Sequence, residues 1–297
     1  SPSNEPGYAA PWNSSLWTAD EMGKFITSYL GPTFRKENIP AKIIFGDNPL
    51  WAVYMPQLKM VSSKDFTDTI LQNYPEAKDF NLIAAGHGYS LSPDIMPIKV
   101  DKEYLKTAIL PFEMAEKADI PVWITEISDV NPLDISIHDG LKWAVTFHNY
   151  LTKANVNAII WWGGAMPTSN NESLIILDKN RKDFLLSKRY DIFGNFSRYI
   201  PEESTRIQVT QSSGIPLLIS AYKKDDEYTL VTINSSKQTI QTSLGLDGAN
   251  INGLLKQYIT NEDNSWTEMA IVQENKEYYN LTIPPYSVVT FVGKVRL

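Results

Sequence analysis

Along the first two thirds of the chain, apolar and polar positions fall into two rhythms. The short apolar runs Ala41–Phe45, Leu82–Ala85, Pro121–Glu126 and Ala158–Trp162 show no polar alternation. Such runs predict strands covered on both faces. Between and around them lie longer stretches with helical spacing: Thr18–Tyr29, Phe66–Gln72, Tyr104–Lys117, Asp139–Ala154 and Tyr190–Tyr199. Thr18, with Glu21 three residues on, has the form of a capping box that starts the first of these helices. Strands alternating with helices in this way build a parallel sheet, either a barrel or a doubly wound sheet.

After Pro201 the pattern changes. Arg206–Val209, Pro216–Tyr222, Tyr228–Asn234, Leu254–Ile259, Met269–Gln273, Tyr278–Ile283 and Val288–Val292 read as strands. Polar turns such as Lys224-Asp225-Asp226 and Asp247-Gly248-Ala249-Asn250 separate them. Short strands at this spacing predict an antiparallel β-sandwich. The expected division is therefore a βα-repeating domain over residues 1–201 and a sandwich side domain over 202–297.

A closed (β/α)8 barrel takes about 250 residues, and the βα region has about 200. The strand signals account for the second half of such a barrel, from the end of strand 4 to strand 8. Half a barrel leaves strand edges and apolar faces open. An N-terminal barrel segment outside this chain is accordingly expected as a partner.

Composition narrows the classes of function. Apolar residues make up 43% of 297, with eight tryptophans, enough for a packed core. A net charge of −7 and a pI near 5.1 argue against nucleic acid or an anionic membrane as partner. A neutral polysaccharide or oligosaccharide raises no such conflict. The absence of cysteine excludes disulfides and thiolate chemistry. The three histidines, His87, His138 and His148, have no metal-ligand spacing, so neither metal nor cofactor is expected. No apolar run approaches the length of a membrane span, about 18 residues or more.

The candidate chemistry lies in two glutamates. Glu5 stands in Asn4-Glu5-Pro6, and Glu126 ends the run Pro121–Glu126. Carboxyl groups on the C-terminal rims of strands in a βα chain are what retaining glycoside hydrolysis requires, one as proton donor and one as nucleophile. His87 lies between Gly86 and Gly88 at a strand end, where the glycines would let the backbone turn sharply. It is either a structural histidine or one that orients a sugar hydroxyl or the nucleophile. Sugar rings present apolar faces to aromatic planes, which directs attention to Trp12, Trp17, Trp51, Tyr54, Tyr89, Trp161 and Trp162. Alternation sends Trp161 and Trp162 to opposite sides, and Trp162 is the one assigned to the cleft. Trp12 and Trp51, in loops, are candidates for outer sugar subsites.

With these pieces in order, the chain resembles glycoside hydrolase family 30, and its bacterial xylanase branch in particular. The resemblance rests on Ser3-Asn4-Glu5-Pro6-Gly7-Tyr8, Trp17-Thr18, Gly86-His87-Gly88-Tyr89, Trp123-Ile124-Thr125-Glu126 and Trp161-Trp162. Later pieces are Ser187-Lys188-Arg189, Asn195-Phe196-Ser197-Arg198-Tyr199-Ile200, Ser220-Ala221-Tyr222-Lys223 and Pro285–Val292. The resemblance implies a (β/α)8 TIM barrel with a β-side domain, Glu5 as general acid/base and Glu126 as nucleophile. It also implies that Asn4 bonds the sugar 2-hydroxyl and that Tyr8, His87, Tyr89 and Trp162 line the cleft. Glucuronate-dependent members carry arginines after the strand-eight tryptophans and a tyrosine two residues past the nucleophile. Here the corresponding residues are Gly163–Thr168 and Ser128. The expectation is thus a secreted endo-β-1,4-xylanase that does not depend on glucuronate. The alternatives are a family member acting on β-1,6-glucan, β-1,6-galactan or another β-glycoside, or a non-catalytic carbohydrate-binding fragment.

Overall fold

The computed structural model describes residues 1–12, 15–52, 60–89, 109–247, 250–251, 255–271 and 278–296. The chain divides into two compact units. The first comprises residues 1–132, 149–164 and 170–173, and the second residues 133–148, 165–169 and 174–297.

The first unit is built on a parallel sheet of β1 (Ile43–Asn48), β2 (Leu82–His87), β3 (Val122–Glu126) and β4 (Ala158–Ile159), in that order. All four strands fall where the apolar runs predict them. Its helices are α1 (Ala19–Phe25), α2 (Gly31–Lys36), α3 (Ser63–Asn73) and α4 (Glu113–Lys117). α3 packs on β1 and β2. The Thr18 hydroxyl accepts from Glu21 N–H while the Glu21 carboxylate accepts from Thr18 N–H, closing the expected capping box. The helix expected to stop at Tyr29 instead passes through a π-helical stretch, Ile26–Leu30, into α2. Pro32, which lacks an N–H, lies where the π-helical stretch passes into α2, a break in the regular hydrogen-bond ladder. Of the helix expected over Tyr104–Lys117, residues 104–108 lie outside those described, and Glu113–Lys117 is helical.

Two irregularities in the sheet position the site. β1 pairs Gly46 with Ala85 and Asn48 with Gly86, which leaves Asp47 as an extra residue. β3 pairs Ile124 with Gly86 and Glu126 with His87, which leaves Thr125 extra. Bulges of this kind re-aim side chains at strand ends. Asp47 has φ 42° and Gly46 φ 94°, and a Cβ on Gly46 would stand 2.5 Å from the Ala85 carbonyl oxygen. Only glycine satisfies both conditions at position 46. Gly86 and Gly88 have a different reason from the one expected. Neither has positive φ. A Cβ would meet Ser63 Oγ at 2.4 Å from Gly86, and Ile127 at 2.4 Å from Gly88, so close packing rather than a sharp turn requires them.

α5 (Ile137–Lys153) supplies residues to both units. In the second unit, β5 (Ala165–Met166), β6 (Ile175–Asp178) and β7 (Asp183–Leu186) form a small sheet. The sequence reading assigned no strand there, although Asp178–Asp183 has a readable polar turn between apolar runs. α6 (Lys188–Ser197) follows. Then come β8 (Thr205–Ile207), β9 (Leu218–Lys224), β10 (Glu227–Asn234), β11 (Ile240–Leu244) and β12 (Asn250–Ile251). The last four are β13 (Leu255–Thr260), β14 (Thr267–Ile271), β15 (Tyr279–Ile283) and β16 (Ser287–Arg296). β8, β9, β10, β12, β13, β14 and β16 form one antiparallel sheet, while β11 pairs with β15. β11 and β12 are additional to the seven expected strands. Both sheets contribute to one apolar core, which includes Leu230, Leu255 and Phe291 from the first and Tyr279, Leu281 and Ile283 from the second. Arg189, fully buried on α6, pairs with Asp139 of α5 at 2.7 Å.

Candidate active site

At the C-terminal end of the parallel sheet, a single imidazole meets three carboxyl groups. His87 ends β2 and is 1% exposed. Its Nδ1 lies 3.2 Å from Glu5 Oε1, and its Nε2 lies 3.6 Å from Asp47 Oδ1 and 3.8 Å from Glu126 Oε2. Nδ1 is not aligned for a hydrogen bond, and the other two separations are too long for one. These are charge contacts. Glu5 and Glu126 therefore share one site, separated by no more than the ring and its two contacts.

Glu5 comes from the N-terminal segment, and the strand ends hold its backbone. Its N–H donates to the Asp47 carbonyl at 3.0 Å, and its φ of 49° lies in the left-handed region. A non-glycine residue held there signals a backbone fixed by its surroundings. The Glu5 side chain is buried, and its Oε2 accepts from Trp12 Nε1–H at 2.8 Å. Glu126, on β3, keeps a side-chain exposure of 19%, and its Oε1 accepts from the Tyr89 hydroxyl. The Tyr89 ring also stands edge-on to His87, with centroids 5.7 Å apart. Asp47 accepts from the Thr125 hydroxyl at 2.5 Å, so the extra residues of β1 and β3 meet across β2.

The charges follow from this packing. Burial works against a charged His87, but Asp47, Glu5 and Glu126 outweigh it and hold the imidazolium up to about 9. Burial likewise opposes ionisation of Asp47, yet His87 and Thr125 bring its carboxyl below the ordinary range. Glu126 is raised, first by burial and further by the charges of Glu5 and Asp47, against the pull of His87 and Tyr89. The Tyr89 hydroxyl is pushed well up by burial and by Glu126, and it stays a donor. The His87 imidazolium thus stands among three carboxyl groups, and Glu5 and Glu126 reach it from opposite nitrogens.

The other expected residues divide. Asn4 is exposed, and its side chain makes no protein hydrogen bond among the described residues. Tyr8 is half-buried, with its ring edge toward Trp12 at 6.0 Å and its N–H on the Glu5 carbonyl. Trp161 is buried and Trp162 is 48% exposed, the split that alternation predicts. Trp162 Nε1–H donates to Glu172 Oε1 at 3.1 Å, and Trp161 Nε1–H donates to the Glu172 carbonyl at 3.0 Å. Trp51 corrects the expectation of a loop platform. It is fully buried, stacks near Phe112 and Tyr150, and donates to the Leu110 carbonyl, so no face is left for a sugar. Tyr54 lies outside the described residues. Sequence reasoning missed Asp47, Thr125 and Glu172. Gly46-Asp47-Asn48 could have marked the first of these, because glycine before a polar pair interrupts an apolar strand.

No protein-family model matches the chain. It is 23% identical over 298 residues to glucuronoxylanase XynC of Bacillus subtilis strain 168, an alignment covering 97% of this chain and 59% of that protein. Among solved structures it resembles the catalytic domain of GH30 xylanase C from Talaromyces cellulolyticus, with a TM-score of 0.77 and 20% identity. That match covers 99% of this chain and 61% of the other. The glycoside hydrolase family 30 subfamily 8 xylanase Xyn30A from Clostridium acetobutylicum gives a TM-score of 0.74 at 20% identity, over 98% of this chain and 64% of that one. The chain thus spans about three fifths of the length of the relatives it matches. These matches bear out the resemblance to glycoside hydrolase family 30 read from the motifs, and with it an α/β glycoside hydrolase fold.

Proposed function

We propose that this chain is the greater part of a retaining glycoside hydrolase that cuts xylan. The observation that carries the reading is the contact of Glu5 and Glu126 with opposite nitrogens of His87. Glu126, ionised and held by Tyr89, attacks the anomeric carbon while Glu5 gives its proton to the departing oxygen. The sugar is then an ester of Glu126, and Glu5, now a carboxylate, takes a proton from water as its oxygen attacks the same carbon. Retention requires the two carboxyl groups roughly 5–5.5 Å apart. Asn4, exposed beside the acid, serves the 2-hydroxyl, while Trp162 and Tyr8 supply apolar faces to the sugar.

The substrate we favour is β-1,4-xylan cut internally, without need of glucuronate. A glucuronate carboxylate needs a cation or a dense donor set. Residues 163–173, after β4, contain no Lys or Arg, and Glu172 places a carboxylate on Trp162 instead. In this reading β1–β4 are the last four strands of a (β/α)8 barrel over residues 1–201, with a β-sandwich over 202–297. Among the described residues β1 pairs only with β2 and β4 only with β3, so each presents an edge to an N-terminal barrel segment. A polymer of this kind is met outside the cell, and secretion belongs to the same reading.

Hydrolysis of undecorated xylan and linear xylo-oligosaccharides, assayed beside glucuronoxylan, tests it. The expected result is cleavage of all three with retained anomeric configuration. Cleavage of glucuronoxylan alone would remove the specificity claim, and inverted product would remove the mechanism.

A further inference from the structure

Asp47 has no step in the two-stage hydrolysis proposed above, on which this inference rests, yet it lies at the centre of the site and is 6% exposed. The groups that face His87 are Glu5 from the N-terminal segment, Asp47 from β1, Glu126 from β3 and the Tyr89 ring from the turn after β2. No Lys or Arg forms an ion pair with these carboxyl groups among the described residues. The Thr125 hydroxyl donates to Asp47.

During hydrolysis the negative charge of the catalytic pair moves. Before attack it rests on Glu126, on the Nε2 side of the ring. In the glycosyl-enzyme Glu126 is a neutral ester and the charge rests on Glu5, 3.2 Å from Nδ1. A cation between them stays close to the charge in both states, provided that it keeps its proton. If Glu5 took that proton from Nδ1, it could no longer accept one from water, and the ester would stall. Asp47 is the one carboxylate of the three whose charge does not change through the cycle.

We propose that Asp47 is a positioning residue, the constant counter-charge that keeps His87 protonated while negative charge passes from Glu126 to Glu5, so that the ester is released. The backbone is built to place it. Asp47 is the extra residue of β1, Gly46 gives it room, Thr125 fixes the carboxylate and its carbonyl holds the Glu5 N–H. No proton leaves His87 in this scheme. Water gives one proton to Glu5 and its oxygen to the anomeric carbon as the bond to Glu126 breaks.

Asp47→Asn keeps the shape and removes the charge. The chain has three histidines, so NMR titration can follow His87 against His138 and His148, whose unchanged shifts would certify an intact fold. The expected result is a His87 titration lowered from about 9 by at least about one pH unit. On an aryl β-xylobioside with an activated leaving group, kcat and KM should fall together and the glycosyl-enzyme should accumulate, visible by intact mass. Thr125→Val should act in the same direction, more weakly. A purely structural lesion would lower kcat/KM without reducing KM and without an adduct. An unchanged His87 titration, or slower turnover with no adduct, overturns the inference even if the wild type is active. A wild type inert on every xylan would instead remove the hydrolytic reading itself.

Discussion

At the scale of single residues, the site joins groups that ordinarily avoid one another, and their mutual dependence makes it testable. Glu5→Ala should lower kcat on ordinary xylan by about 10²–10⁴-fold, the usual worth of a general acid. Added azide should restore turnover of a substrate with an activated leaving group, because that group needs no proton and azide needs no base. Absence of rescue would remove Glu5 from the acid/base role. Trp12→Phe keeps an aromatic ring but strips the donor from Glu5 Oε2, and kcat/KM should fall by about tenfold. His87 has a signature in stability as well. Its pKa rises from 6.5 to about 9 on folding, so its contribution is complete below about 6.5 and is lost as pH climbs through 9. Thermal unfolding followed by circular dichroism should show a midpoint that declines over that interval, and His87→Gln should flatten the decline.

Among the secondary-structure elements, two bulges decide where the chemistry sits. Gly46→Ala would force φ 94° on a residue with a Cβ 2.5 Å from the Ala85 carbonyl, a strain of about 1–3 kcal/mol. Chemical denaturation should register that loss, with activity falling further because Asp47 is displaced. Arg189→Ala would take the guanidinium from buried Asp139, which keeps Lys142 at 2.9 Å, so the stability lost should fall short of the about 3–5 kcal/mol of a fully orphaned buried charge. The elements were largely legible in the sequence. Each of the four parallel strands begins in an apolar run, and Thr18 with Glu21 announces a helix start. The bulges were not legible. Asp47 and Thr125 become extra residues only through register with β2, a relation between strands that no single stretch records. Trp51 misled for a similar reason. Its loop setting suggested exposure, but α4's approach, through Phe112, closes over it. The hairpin of β6 and β7 was hidden by exposed apolar side chains, Phe184 to Leu186, which follow no alternation.

Taken whole, the molecule is acidic, at −7, and part of that charge, from Asp47, Glu126 and Glu172, is gathered around Trp162 and His87. On the proposed reading a neutral xylan chain would feel none of this, whereas a glucuronate branch would be repelled. Raising ionic strength shortens the Debye length from about 10 Å at 0.1 M to about 3 Å at 1 M. Across that range kcat/KM should rise on glucuronoxylan and stay level on linear xylo-oligosaccharides; a rise on both, or on neither, would count against charge exclusion. The most direct test of the central claim is covalent capture. A 2-fluoro-xylobioside with an activated leaving group should slow release enough for the ester to persist, and peptide mass mapping should then place the sugar on Glu126. A label on any other residue, or none on a protein that still cleaves xylan, would contradict the account.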